Sequence, residues 1–469
     1  MKLSTRSKEY IIPEYSLTGD LLSFLTCNLQ YRYQNKGNLP PSMPIQLWFG
    51  EFIHGVMEEA YLKWNNLSDE EKKDFKWDWE RDIKPIEDII TKRLKVKGLN
   101  PPINYTENYG PKENMYSARV DRSIKIWGPH LFPLIEDAEV LIKGIRDMPK
   151  DNEGHSRSEY YSINGVIDVL SSVKLDEIYS IENDFNGDNE KSKNTFKQTT
   201  LDSFFVIDSC DIDNVRDKSS KKSGNKILEY LANNEEFKTI LENLEDDEYE
   251  IIIDYKGMRR PSAPNKNDID KNNIHLLNED SNDENSLEDY KTWIQHEWQI
   301  LTYAWLRSMQ EDAKPVICGI IFYLNELVPS TEDLLLIRED LENNKTDIPR
   351  QSIPKDWEIL KNWDENGPKA IHDDLSKKFK MDRSIRIINI KEDLIDDSLL
   401  EFDEVVNQIE SSMIRELNGS KIKEAWNANA EQRTCNACDF STFCNKKDLE
   451  ENTNENSNEE DNKPVFSVP

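Results

Sequence analysis

Apolar positions along the chain fall into stretches of helical and of strand period. From Ser16 to Tyr33, Leu21, Leu22, Leu25 and Leu29 recur at helical spacing with Cys27 among them. After a break at Pro40, Pro41 and Pro44, a second helix is predicted from about Gln46 to Trp64, carrying His54 and Glu58 one turn apart. Residues 65–130 read as mixed and mainly helical, with Trp64, Trp77 and Trp79 as packing anchors. Ala138–Ile145 and Tyr160–Leu170 are β-branched and bounded by turn formers, so both predict strands. Tyr249–Lys256, with the run Ile251–Ile253, predicts a buried strand ending in charge, and Val316–Leu324 another. Helices are predicted at Trp293–Gln310 and Asp396–Leu417. The second has a broad apolar face of Leu399, Leu400, Phe402, Val405, Val406, Ile409, Met413 and Ile414. Strands interleaved with helices imply an α/β protein with a central mixed sheet flanked by helices, and a helical part at its C-terminal end.

Composition changes this picture by marking what lies outside the core. The 469 residues are only 36% hydrophobic and 32% charged, with a net charge of −31. Residues 174–250 hold 10 basic against 20 acidic side chains, 266–290 hold 2 against 8, and 445–469 hold 3 against 7. These Asn-, Asp-, Glu-, Lys- and Ser-rich segments account for most of the excess, so they read as solvated insertions and a tail without fixed structure. The remaining body is mildly acidic, which leaves room for a local basic channel and does not exclude DNA. No apolar run approaches a membrane span and Met1–Tyr10 has no apolar leader, so a cytoplasmic protein is expected. The expected divisions are 1–170, N-terminal helices and the first half of the core; 171–250, a polar insertion without fixed structure; and 251–330, the second half of the core. They continue with 331–445, a helical and cysteine-bearing part, and 446–469, an acidic tail.

Four fragments carry chemistry: Gly50-x3-His54, Gly165-x2-Asp168, Asp254-Tyr255-Lys256 and Gln299-x3-Tyr303. Phosphodiester hydrolysis near neutral pH calls for a divalent cation, and hard Mg²⁺ or Mn²⁺ prefers oxygen ligands such as two strand-end carboxylates. A lysine two residues after the second Asp lies on the same strand face, where its ammonium can stabilise developing charge. Taken singly each fragment has a plain structural reading. Asp-x-Lys is a common surface pair, His54 can be an ordinary helix residue, and Gln299 with Tyr303 can be one face of an amphipathic helix.

Six cysteines are present, with Cys435-x2-Cys438-x5-Cys444 forming a tight C-terminal cluster and Cys27 near the other end. Three thiolates in one short loop need a fourth ligand, and spacing alone suits a structural zinc as well as an iron–sulfur cluster. Cys210 and Cys318 have no partner pattern and read as ordinary thiols.

The ordered set resembles the RecB-type branch of the PD-(D/E)XK nucleases, whose fold is the restriction-endonuclease-like α/β core. That resemblance implies metal binding by Asp168, Asp254, His54 and the backbone carbonyl of Tyr255, a catalytic Lys256, and a substrate-contacting and supporting role for Gln299 and Tyr303. Glu139 would correspond to an upstream acidic position. Asp168 and Asp254 stand 86 residues apart, where the family has a short hairpin, and a polar surface insertion accounts for this at small free-energy cost. An N-terminal cysteine before Gly-x3-His joined by three C-terminal cysteines resembles the iron–sulfur subgroup. That subgroup includes the CRISPR-associated RecB-like exonucleases, exonuclease V and the nuclease subunit of some bacterial helicase–nuclease complexes. Lys256-Gly257-Met258-Arg259-Arg260-Pro261 and Glu424-Ala425-Trp426 extend the likeness. The resemblance implies a [4Fe-4S] cluster on Cys27, Cys435, Cys438 and Cys444, and a single-strand DNA exonuclease of repair or replication with Arg259 and Arg260 gripping the strand. The alternatives are a flap or branched-DNA endonuclease and a non-catalytic DNA-binding module that keeps fold and cluster as scaffold.

One further motif lies in the insertion. Gln198-Thr199-Thr200-Leu201-Asp202-Ser203-Phe204-Phe205 resembles the peptide box with which replication enzymes dock on the sliding clamp. A short helical turn would put Leu201, Phe204 and Phe205 on one side as an apolar plug beside Gln198. The plain reading is a core strand over Leu201–Cys210.

Overall fold

A computed structural model describes residues 12–37, 39, 45–101, 114–150, 158–174, 224–241, 248–263, 284–364, 371, 373–430, 435, 438–441 and 444. Its strands are β1 (Glu14–Ser16), β2 (Ile135–Asp147), β3 (Tyr160–Lys174), β4 (Glu248–Lys256), β5 (Val316–Tyr323) and β6 (Ile385–Asn389). The helices used below are α1 (Ile45–Asn65), α2 (Lys84–Val96), α3 (Met115–Ile126), α4 (Lys226–Ala232), α5 (Glu235–Leu241) and α6 (Glu284–Ser308). They continue with α7 (Thr331–Asn343), α8 (Pro354–Asn362), α9 (Lys377–Ser384) and α10 (Glu392–Leu417). Among the described residues no helix is long and apolar enough to cross a membrane. The chain divides into two compact units, one of residues 1–44, 141–165 and 393–469, the other of 45–140 and 166–392.

The larger unit is a mixed α/β fold around a sheet in the order β3-β4-β5-β6. β3 and β4 are antiparallel, β4 and β5 parallel, and β5 and β6 antiparallel. A parallel neighbour requires a crossover, and α6 supplies it between β4 and β5. Ile251, Ile252 and Ile253 are all buried, as expected of a central strand covered on both faces. The core continues through Trp48, Phe52, Ile53 and Val56 of α1 and Ile90 and Leu94 of α2. Leu334, Ile337, Leu341, Leu360 and Phe379 form a second cluster among α7, α8 and α9. A bidentate ion pair of Arg307 with Glu250, both contacts at 2.8 Å and buried, fastens α6 to the start of β4.

The 86-residue gap between the two aspartates closes in this sheet: Lys174 pairs with Glu248 and Val169 with Ile253. The expectation that 171–250 lacks fixed structure is corrected at both of its ends. β3 runs to Lys174, β4 starts at Glu248, and α4 and α5 occupy 226–241. Despite the acidic composition, Ile227, Leu228, Leu231, Phe237 and Leu241 recur at helical spacing and join the core, and Asn225 caps α4 through its side chain.

In the smaller unit, β1 pairs in parallel with the start of β3, Tyr15 opposite Ile163. The helix expected over Ser16–Tyr33 is broken at Cys27, which is extended (φ −165°, ψ 115°) between Leu22–Thr26 and Asn28–Tyr31. Long-range partners replace the local ones there: Asn28 N donates to Asn429 Oδ1 at 2.9 Å and Leu29 N to Asn427 O at 3.0 Å. Phe24 and Tyr31 pack on Trp426, while Arg32 forks onto Glu416 with two 2.7 Å bonds and Trp426 Nε1 donates to the same carboxylate. The two chain ends thus build one unit. α10 buries Leu399, Phe402, Val405, Val406, Ile409 and Met413, whereas Leu400, expected on the apolar face, is 65% exposed.

Candidate metal centre

β3 and β4 present two carboxylates side by side. Extending the register one step past Val169–Ile253 sets Asp168 opposite Asp254, so both point to one face. α1 brings His54 over them. Its Nε2 lies 2.9 Å from the Tyr255 carbonyl oxygen and its Nδ1 3.3 Å from Asp168 Oδ1. Asp168 Oδ2 accepts from the Tyr255 N–H at 2.9 Å. β2 adds Glu139, and ligand atoms of His54, Glu139 and Asp168 all lie within 4.8 Å of one another. Glu139 has φ 54°, a left-handed conformation for a residue with a side chain. Such a backbone costs on the order of 1–3 kcal/mol and persists where its surroundings over-determine it.

Lys256 and α6 complete the arrangement. Lys256 Nζ donates to Gln299 Oε1 at 2.7 Å, and Gln299 Nε2 donates to Asp254 Oδ1 and to the Tyr303 hydroxyl, each at 3.2 Å. Gln299 and Tyr303 are buried, so they brace the two charged groups rather than face solvent. Gly319 of β5 lets α6 come this close: a Cβ there would stand 2.1 Å from Ile300 Cγ2.

The electrostatics set the two carboxylates apart. Burial pushes both upward; at Asp168 the His54 charge and the Tyr255 N–H overcome it and hold the group below its ordinary value. At Asp254 burial and the neighbouring Asp168 prevail over Lys256, and the group is raised. Burial opposes protonation of His54, but Asp168 outweighs it and lifts the imidazole to about 9. Glu139 is raised by burial and then by Asp168. Burial opposes the charge on Lys256, yet Asp254 holds it above its ordinary value. Asp254 Oδ2 faces the Lys256 ammonium at 2.8 Å without an aligned hydrogen bond, so this buried oxygen keeps capacity for another partner. Mutual repulsion of acidic groups, a buried carboxylate oxygen with spare capacity and an oxygen-rich donor set with one imidazole are what a divalent cation relieves and uses.

His54, Asp168, Asp254, Tyr255, Lys256, Gln299 and Tyr303, expected from the sequence, therefore come together. Arg259 and Arg260 do not serve as expected. Arg260 is buried, donating to the carbonyls of Asp382, Arg383 and Ile385 and to Asp347, and Arg259 donates to Asp340 at 2.7 Å. Arg259 ties the end of β4 to α7 and Arg260 ties it to the start of β6, with Arg260 Nε left buried without a partner. His296, not singled out from the sequence, lies three residues before Gln299 on α6 and is buried with its Nδ1 3.1 Å from the Tyr323 hydroxyl.

In the smaller unit, the Cys438 thiol is raised by burial, with the sulfurs of Cys27 and Cys435 adding to it, and Cys444 acts on the Tyr33 hydroxyl in the same sense. Cys435 Sγ lies 3.6 Å from the Ala430 carbonyl. Cys27 and Cys435 thus lie close enough to act on Cys438, and Cys444 on Tyr33. Cys318 is buried in β5, where burial raises its thiol. Gln198, Leu201, Phe204 and Phe205 lie outside the described residues, as do Cys210 and the tail. No protein-family model matches the chain, and no curated protein sequence matches it.

Proposed function

We propose that the protein is a divalent-metal-dependent DNA nuclease of the RecB-like PD-(D/E)XK type, acting on single strands from an end. The observation that carries this is the convergence of Asp168, Asp254, His54 and the Tyr255 carbonyl beside a Lys256 held by Asp254 and Gln299. Asp168, Asp254, the Tyr255 carbonyl, His54 and Glu139 would hold Mg²⁺ or Mn²⁺. When bound, the cation would acidify an attacking water and neutralise charge on the phosphoryl group. Lys256, kept protonated by Asp254 and aimed by its bond to Gln299, stabilises negative charge building on the phosphoryl oxygens. Gln299 and Tyr303 hold the Asp254–Lys256 pair in register against α6.

In the same reading Cys27, Cys435, Cys438 and Cys444 hold a [4Fe-4S] cluster that fastens the chain ends. The rival occupant of four thiolates is a structural zinc. The segment 198–205 would tether the enzyme to a trimeric sliding clamp and so offset the protein's acidity. Calorimetry of a 194–210 peptide on such a clamp, beside a Phe204→Ala, Phe205→Ala control, tests that part.

The decisive experiment is cleavage of free-end and end-blocked single-stranded oligonucleotides in Mn²⁺, with Asp254→Ala as control. Expected is cleavage from free ends only, abolished by the substitution. Cleavage of blocked ends turns the reading toward an endonuclease. Undiminished cleavage by Asp254→Ala removes this site, and no cleavage by the native protein leaves a DNA-binding scaffold.

A further inference from the structure

α1 carries Gly50 and Gly55 in its interior, where glycine weakens a helix relative to alanine. Gly55 has a packing reason: a Cβ there would stand 3.1 Å from Ile90 Cδ1 of α2. Gly98 and Gly419 face open space, but at φ of 85° and 103°, where the backbone itself calls for glycine. Gly50 has neither reason. It is helical, and among the described residues nothing lies within 4 Å of the Cβ it lacks. Its surroundings are otherwise closely packed. Trp48, Phe49 and Ile53 are buried, and a Cβ on Gly257, the residue after Lys256, would stand 3.0 Å from the Phe49 ring. The opening is therefore local to Gly50 and not a loose fit of α1 on the end of β4.

Gly50 precedes His54 by one turn, about 6 Å along the axis, on the same face of the helix. Helix side chains lean toward the N-terminus, so the His54 ring stands over the turn that begins at Gly50. There it is drawn onto the Tyr255 carbonyl at 2.9 Å and Asp168 at 3.3 Å. The opening thus adjoins the candidate metal centre. Leu47, 43% exposed, continues the stripe one turn before Gly50. Glu51 and Glu58 stand a turn to either side of His54, and Glu51 pairs with Lys97 at 3.1 Å. Two carboxylates beside the opening would repel a phosphate placed in it, but not an uncharged ring. A bare Cα next to an exposed leucine offers close van der Waals contact to C–H groups. One step along a strand from a phosphate at the metal, the uncharged part with C–H faces is the sugar.

We propose that Gly50 is a substrate-contacting residue that sets what the site admits: its bare Cα, with Leu47, seats the sugar ring of a nucleotide adjoining the scissile phosphate. This rests on the nuclease reading above and adds a contact with the strand that its metal ligands and lysine do not make. A methyl group at this position would occupy the space the sugar needs.

The test uses the full-length protein in Mn²⁺ on free-end single-stranded oligonucleotides, with Gly50→Ala and the bulkier Gly50→Leu. Alanine suits a helix interior better than glycine, so the urea midpoint of Gly50→Ala should equal or exceed the native one. Its Mn²⁺ isotherm should stay native, since a Cβ in open space touches no ligand. Cleavage should nonetheless suffer: kcat/KM should fall at least about tenfold, the scale of one misplaced methyl group in a substrate site, and further in Gly50→Leu. A propanediol spacer replacing the nucleotide on one or the other side of the scissile phosphate removes the sugar ring and keeps the phosphates. On one of these two substrates the ratio of native to Gly50→Ala kcat/KM should fall to about one, because no ring is left to collide. A Gly50→Ala protein that keeps native kcat/KM on ordinary strands, that has a lowered urea midpoint, or that loses the same factor on both spacer substrates overturns the contact and leaves the nuclease reading standing. Absence of cleavage by the native protein overturns both.

Discussion

Gly319 sits where β5 passes under α6, and replacing it by Ala tests whether that close approach sets the site. The new Cβ would meet Ile300 Cγ2 at 2.1 Å, and Ile300 Cβ and Cγ1 at 3.2 Å. Carbon atoms are comfortable at about 3.5–4.0 Å, so the methyl clash exceeds 1 Å and the other two contacts are short by a few tenths. Turning Ile300 relieves the first at most, because a β-branched residue in a helix has one strongly preferred rotamer and its Cβ does not move. α6 must therefore retreat. Overpacking of this kind costs about 1–3 kcal/mol, and removing a glycine from a strand returns about 0.5–1 kcal/mol. The two terms bracket a net loss of about 0–2.5 kcal/mol, and a clash deeper than 1 Å puts it in the upper half, at about 1–2.5 kcal/mol. Gln299 adjoins Ile300, so the retreat also pulls Oε1 away from Lys256 Nζ, now at 2.7 Å. With about 10²-fold lost per ångström of misplacement, a few tenths should cost up to about tenfold in cleavage. Urea unfolding of Gly319→Ala, alone and with Ile300→Ala, reads the first quantity, and Mn²⁺-dependent cleavage the second. The alanine should cost much less once Ile300 is truncated. A single variant within about 0.5 kcal/mol of the native protein, the range of neutral surface changes, or an equal cost in both backgrounds, refutes the packing argument.

Three further outcomes are expected. Mn²⁺ at about 100 times its dissociation constant should stabilise the native protein by about 2.7 kcal/mol. Isothermal calorimetry should find that binding lost in Asp168→Asn; an unchanged Mn²⁺ isotherm removes Asp168 from the centre. Protein purified without oxygen should be brown with about four irons per chain. Cys435→Ala should bleach it and lower the urea midpoint, and stoichiometric zinc in place of iron would overturn the cluster. His130 is depressed to about 4 by burial and then by Lys226 and Lys377. Its unfolded-state value is about 6.5, so the unfolded chain binds this proton more tightly. The associated stability is whole above pH 6.5 and is lost as pH falls toward 4. Discounted for the ring's partial exposure, the native protein should lose about 1–2 kcal/mol more than His130→Asn between pH 7.5 and 5. Parallel urea curves at the two pH values decide it.

The sequence by itself determined the elements and the residues of the site. Periodicity located the strands around Asp168, Asp254 and Lys256 and the helices around His54 and Gln299, because local hydrophobic spacing records which face each element buries. It also located Leu399, Phe402, Val405 and Val406 as one buried helix face. Sequence alone did not settle which apolar position would stay outside, and Leu400 did. Only the tertiary structure decided the rest, since each remaining point depends on partners far away in the chain. The pairing of Val169 with Ile253 turned an 86-residue separation into adjacency, and buried apolar spacing ordered α4 and α5 inside an acidic stretch. Asn427 and Asn429 took the backbone donors that a continuous helix through Cys27 would have used. Arg259 and Arg260 turned inward because Asp340, Asp347 and the carbonyls around the start of β6 accept from most of their donors. A hydrogen bond's direction is fixed by which groups can accept, and residue spacing carries no record of that.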